Sequence, residues 1–239
     1  MFGKGWWKHR PFSLTKPPYL IILLNKVRKR LIRREAPDMK LYNANAGNPK
    51  RVRIFISEKG IDIPRVDLEA GTETRTEDFH KINSLQELPV LELDDGRIIT
   101  ESVAICRYLE AQFPEPPLMG RDAFEQGHIE MWSQRIFHQL FLPHGHYVRH
   151  TIPLFKDVVT QVPEFAAAER AVIPQRWEWL NEEMSDGRPF IAGDDFSIAD
   201  IHGMVVLMLG GFFDLPVPVS CTFANQWSER VRARPSWDA

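Results

Sequence analysis

The chain has 239 residues, 44% of them hydrophobic and 26% charged, which is enough for one large or two modest globular domains and excludes a disordered or fibrous protein. The net charge of −2 hides an asymmetry: residues 1–38 carry ten Lys/Arg against two acids, and residues 39–239 carry twenty against thirty. The mildly acidic main body argues against nucleic acid as a partner. Two distant cysteines, Cys106 and Cys221, exclude a disulfide framework and fit a reducing compartment.

In residues 1–38 the uninterrupted apolar run is Tyr19 to Leu24, too short for a membrane span of about 20 residues. Were this segment a basic helix, Leu20, Leu24, Val27 and Leu31 would share one of its faces. Two readings follow: a dispensable extension, which we favour, or a helix lying on an anionic membrane surface.

Residues 40–44 predict a first strand, and Val52, Ile54, Phe55 and Ile56 predict a helix closed by Gly60. Ile61 to Leu68 reads as the next strand, and Thr72 to Lys81 as a short polar helix or loop. The strand-like runs Val90–Leu93 and Arg97–Thr100 flank Asp94-Asp95-Gly96, whose Asp-Gly step predicts a tight antiparallel hairpin. Pro89 lacks a ladder donor and belongs at the entrance of that hairpin. If the Leu88–Pro89 bond is cis, Leu88 turns its backbone outward to an extended ligand. After the hairpin, Thr100-Glu101-Ser102 meets the apolar positions Val103, Ile105, Cys106 and Leu109, so a helix starts there with free N–H groups that attract carboxylates. Backbone pairing, an anion site and the Glu101 carboxylate for an amine together suit a small zwitterionic peptide. Cys106 falls on the buried side of its helix as a small apolar residue.

Phe113 to Gly120 is proline-rich and predicts a linker. Arg121 to Leu142 then reads as one long helix with Phe124, Ile129, Trp132, Ile136, Phe137 and Leu140 inward, and Glu164 to Met184 as another. His138, His144, His146 and His150 crowd together, but Pro143 and Gly145 are expected to interrupt the element, so no metal is assigned. Ser197 and Asp200 form a capping box, with Phe196 and Ile201 as a hydrophobic staple, ahead of a core helix through Phe213. Ala224 to Arg234 predicts a last amphipathic helix with Trp227 and Val231 inward.

The stretch LPVLELDDG..ITESVAI..YLE, residues 88–110, resembles the second half of the N-terminal domain of the cytosolic glutathione S-transferase superfamily, of a bacterial, nu-like type. The resemblance extends over residues 39 to about 237. It implies an α/β thioredoxin-like domain (39–113), a linker (114–120) and an all-α C-terminal domain (121–239), after the basic extension 1–38. It also implies a cytoplasmic, dimeric transferase with a detoxifying role and glutathione as co-substrate. Leu88 and Pro89 would hold the cysteinyl part of glutathione, and Glu101 and Ser102 the γ-glutamyl amine and carboxylate. The second substrate is a small electrophile or a disulfide, and the histidine-rich region would border its pocket.

The departures lie in the loop that activates the sulfur. No Ser, Tyr or Cys occurs from Asn43 to Arg53, and the positions of the Ser-type hydroxyl hold Ala46 and Gly47. Asn48 coincides with the cysteine of the beta-type enzymes and with an asparagine of the nu-type, so the catalytic assignment falls on Asn48, which offers its amide N–H to a thiolate; a plain helix cap is the competing reading. A non-catalytic binding module of the same fold is the alternative function. Relatives read Asn-Pro-x-Gly-x-Val-Pro before the hairpin, whereas this chain keeps Asn83 and Pro89 without the glycine, which leaves the loop geometry open.

Overall fold

The computed structural model describes residues 39–239 together with the two-residue strand β1 (Arg34–Glu35). The basic helix expected over Leu20 to Leu31 lies outside the described residues. Strand β2 (Lys40–Asn43) buries Leu41 and Asn43 on one face, as alternation requires. Helix α1 (Gly47–Lys59) follows and ends where Gly60, at φ 63°, donates its N–H to the carbonyls of Ile56 and Ser57.

The strand expected from Ile61 to Leu68 is split into β3 (Ile61–Asp62) and β4 (Arg65–Asp67), because Pro64 has no ladder donor. A short 3-10 turn (Glu73–Arg75) and α2 (Glu77–Ile82) come next, followed by β5 (Val90–Glu92) and β6 (Ile98–Ile99). The hairpin forms as its Asp-Gly step predicts: Gly96 takes φ 81° and its N–H reaches the Leu93 carbonyl at 2.9 Å.

The sheet has the order β4-β2-β5-β6, with β2 and β4 parallel and the other pairs antiparallel. Its register decides where a site can form. Tyr42 pairs with Val90 and Leu91 with Ile99, so the exit of β2, the entrance of β5 and the exit of β6 share one end of the sheet. Helix α3 (Ser102–Gln112) starts from that end and buries Ile105, Cys106 and Leu109.

The rest of the chain is helical: α4 (Ala123–Ile136), α5 (Leu142–Thr151), α6 (Pro163–Glu183), α7 (Ile198–Phe212) and α8 (Thr222–Arg232). Thus a thioredoxin-like unit precedes a helical domain, and one hydrophobic core runs through both. The capping box on α7 is present in full, and Asp200, completely buried, also accepts from Ile191 N–H and Trp227 Nε1 at 2.9 Å each. Trp227 and Val231 of α8 point inward as expected.

Two expectations are corrected. Pro143 and Gly145 do not interrupt the fourth helix: a π-helical turn (Phe137–Phe141) joins α4 to α5, Leu142 N–H reaching back to the Phe137 carbonyl, and the wider turn places Pro143 where its missing donor is tolerated. Phe124 is not inward but 77% exposed, because it sits in the first turn of α4, stacked on His128 instead of on the core.

Candidate glutathione site at one end of the sheet

The three segments that leave or enter the shared sheet end carry all five sequence-assigned residues: Asn48 after β2, Leu88 and Pro89 before β5, and Glu101 and Ser102 after β6. The Leu88–Pro89 peptide is cis, and Pro89 is buried while Leu88 is half-buried. Among the described residues nothing pairs with the Leu88 backbone N–H or C=O, so both remain for an extended ligand. The loop before it lacks a glycine, and Gln86, in the place expected for it, takes φ 56°, a conformation that favours glycine. Asn83 braces the same loop, donating from Nδ2 to the Glu87 carbonyl at 2.8 Å and accepting from Leu85 N–H at 3.1 Å.

Two helices aim their amino ends at this place. The N-cap of α1 is Ala46, which has no side chain able to cap, and the N-cap of α3 is Glu101, whose side chain makes no capping bond. Neither first turn contains an acid, so the partial positive charge of both ends is left for a ligand. Glu101 takes φ 63°, an uncommon conformation for a non-glycine residue that leaves its carboxylate exposed.

Asn48 is not the helix cap that its residue type suggested. It is the second residue of α1, and its Oδ1 accepts from Arg51 Nη1 at 2.7 Å. The same Nη1 donates to Ser102 Oγ at 2.6 Å, so Arg51 ties together the Asn48 and Ser102 that sequence reasoning assigned separately. Arg51 is 2% exposed and lies 5.0 Å from the centre of the Phe141 ring; burial pushes its pKa down to about 10, which still leaves it cationic at neutral pH. Arg53 braces the turn after β2, donating to Asn43 Oδ1 at 2.7 Å and to the Ala44 carbonyl at 2.8 Å.

Sequence reasoning missed Arg51 and Arg53. Arginines in an amphipathic helix read as solvent-facing; for Arg53 the available signal is its place between Val52 and Ile54, whereas Arg51, beside Lys50, carries no such signal.

Cys106 is fully buried and its thiol is pushed up to about 12 by desolvation, so it packs as an apolar group. Three of the four histidines share α5, and His146 and His150 both lie against the Phe165 ring. His144 is buried with Nδ1 donating to the Leu140 carbonyl, His146 bonds Glu169 at 2.8 Å, His150 accepts from Val162 N–H, and His138 is exposed. Among the described residues no group of three or more His, Cys, Asp or Glu is arranged to hold a metal. No described helix is long and apolar enough to cross a membrane.

Comparison with known proteins decides the family. The model of the glutathione S-transferase N-terminal domain matches residues 41–117, and glutathione S-transferase 2 of Saccharomyces cerevisiae is 33% identical over 205 residues, covering 83% of this chain and 87% of the yeast protein. The chain belongs to the glutathione S-transferase superfamily. Human glutathione S-transferase theta-2 is 31% identical over 71% of this chain and 70% of its own. Among solved structures, a glutathione S-transferase domain-containing protein of Marinobacter aquaeolei superposes with a TM-score of 0.77 at 35% identity, covering 83% of this chain and 99% of its own. Gtt2 of Saccharomyces cerevisiae gives 0.74 at 32%, covering 83% and 98%.

Proposed function

We propose that this glutathione S-transferase-like enzyme binds glutathione across the shared sheet end and presents it as a thiolate. The Leu88 backbone, beside cis-Pro89, pairs with the cysteinyl part. Ser102 and the free N–H groups of α3 take the γ-glutamyl carboxylate, and Glu101 takes the γ-glutamyl amine. A free thiol has a pKa of about 8.5, so neutral pH leaves most of it protonated unless donors stabilise the anion. Asn48 Nδ2 and the open end of α1 supply that stabilisation; the thiol proton goes to solvent, and the sulfur either displaces a leaving group from, or adds to, an electrophilic centre, or attacks a disulfide, whose S–S bond breaks to release a thiolate.

The observation that carries this reading is the bond from one buried Arg51 to both Asn48 and Ser102, which places a cation behind the two residues assigned to the thiolate and the carboxylate. The linker 114–120 marks the boundary between the thioredoxin-like and helical domains in this reading, and a cytoplasmic homodimer acting in detoxification fits the family. The test is calorimetric binding of reduced glutathione combined with turnover of an electrophile panel and a disulfide panel. Binding with turnover that falls in Asn48→Ala is expected; binding without turnover on either panel favours the non-catalytic module instead.

A further inference from the structure

Asn48 and Ser102 are each amphoteric in hydrogen bonding: a carboxamide has an acceptor and a donor end, and a hydroxyl both gives and takes. Which end meets the ligand decides whether the site favours an anion or a neutral thiol. Arginine has no acceptor, so the group that faces it must be an oxygen. Nη1 carries two hydrogens and lies 2.7 Å from Asn48 Oδ1 and 2.6 Å from Ser102 Oγ, one hydrogen for each. With Oδ1 turned to Arg51, the Asn48 Nδ2 points away from it, and no described residue accepts from that nitrogen while Asn48 stays half-exposed. With its Oγ lone pair filled by Arg51, Ser102 has its O–H left to give.

The guanidinium itself is electrically incomplete. No carboxylate among the described residues lies within ion-pairing distance of Arg51, and its Nε and Nη2 are buried without a hydrogen-bond partner. Glu101 acts on it at longer range, while burial and then the Arg51 charge hold the buried His202 of α7 neutral, its Nε2 also without a partner. A buried cation in such surroundings is costly unless an anion comes to it.

Resting on the glutathione reading above, we propose that Arg51 is a positioning residue that sets the donor polarity of the site, locking Asn48 and Ser102 together as donors toward anionic groups and supplying the charge that the bound thiolate and carboxylate complete. It touches neither reacting atom. Its effect passes through Asn48 and Ser102, and a ligand lacking the anionic groups gains nothing from it.

Two variants separate this role from a packing role. Arg51→Met keeps length and apolar contacts but frees the Asn48 amide and the Ser102 hydroxyl to rotate; Asn48→Asp keeps an oxygen for Arg51 and removes the N–H offered to sulfur. The ultraviolet thiolate signal of bound glutathione is titrated over pH in each, beside calorimetric affinity for glutathione and for its S-methyl derivative, which has no thiol. In Arg51→Met the thiol pKa is expected to rise by about one unit or more, with affinity for both ligands roughly tenfold weaker because the carboxylate anchor is loosened as well. In Asn48→Asp the pKa rises at least as much, while S-methylglutathione affinity stays within roughly threefold, since Ser102 keeps its Arg51 bond. Arg51→Lys restores the charge without the fork and is expected to fall between wild type and Arg51→Met. A bound thiol that titrates as in wild type in both Arg51→Met and Asn48→Asp overturns the proposal and leaves the functional reading standing. Should Arg51→Met fail to fold, Arg51→Lys decides in its place: a bound thiol that titrates as in wild type there overturns the proposal. Wild-type protein that binds no glutathione overturns the functional reading and the proposal with it.

Discussion

Helices α7 and α1 begin in opposite ways. At α7 every orphan donor is met from within the protein: Ser197 and Asp200 close a capping box, and the Asp200 carboxylate also takes Ile191 N–H and Trp227 Nε1 in a fully buried setting. At α1 the cap position holds Ala46 and the first turn has no acid, and α3, a neighbour at the same sheet end, is left equally open. Since an N-cap side chain is worth about 1 kcal/mol, a fold that caps one helix start this thoroughly and leaves two others uncapped forgoes roughly 2 kcal/mol of stability at those two ends. The difference separates a helix start closed from within the protein from two that are left open.

The largest effect is expected where the cap is complete. Asp200→Ala removes four donors' acceptor at once and leaves buried N–H groups unmet, so denaturant unfolding should register a loss of about 3–5 kcal/mol. Glutathione bound to whatever remains folded should keep its wild-type thiol pKa, because Asp200 belongs to the folding end of the comparison.

Filling the empty cap tests the other side. Ala46→Asp gives α1 the side chain it lacks and should stabilise the protein by about 0.5–1 kcal/mol in the same unfolding measurement. The new carboxylate also competes for the N–H groups and charge offered to sulfur, so glutathione affinity should fall roughly tenfold. A variant that gains stability without losing affinity would break the distinction between the two kinds of helix start.

A smaller effect is expected in the loop before Pro89. Gln86 holds φ 56°, with its side chain at 3.4 Å from Arg75 Nη1 and 3.3 Å from the Thr76 carbonyl. Gln86→Gly relieves about 1 kcal/mol of left-handed strain and adds a similar entropy cost, so unfolding free energy should change by under about 0.5 kcal/mol, with glutathione affinity retained. A loss well above that would mean the exposed Gln86 bonds brace the ligand loop.

Most of this architecture was legible in the sequence because local signals dominated it. The Asp-Gly hairpin, the proline at its entrance, the Ser102 helix start and the Ser197–Asp200 capping box each follow from the conformational demands of a few adjacent residues, and each stands where those residues required. What escaped depended on tertiary placement. Pro143 looks like a helix stop until a π turn absorbs it, and Phe124 looks like core until its first-turn position leaves it in solvent. Gln86 takes over a glycine's conformation without any residue type announcing it. Arg51 carries the same lesson into the site: a basic residue in a polar helix reads as exposed, and only the packing of α1, α3 and the Phe141 ring makes it the buried cation behind Asn48 and Ser102.

The most direct test of the central claim is the pH titration of thiolate absorbance for glutathione bound to the wild-type protein. Two open helix starts and a buried arginine behind two donors predict a bound thiol about one to two units more acidic than the free one, at about 8.5 in solution. A bound thiol that titrates at the solution value would contradict the claim that this end of the sheet is built to hold an anion at sulfur.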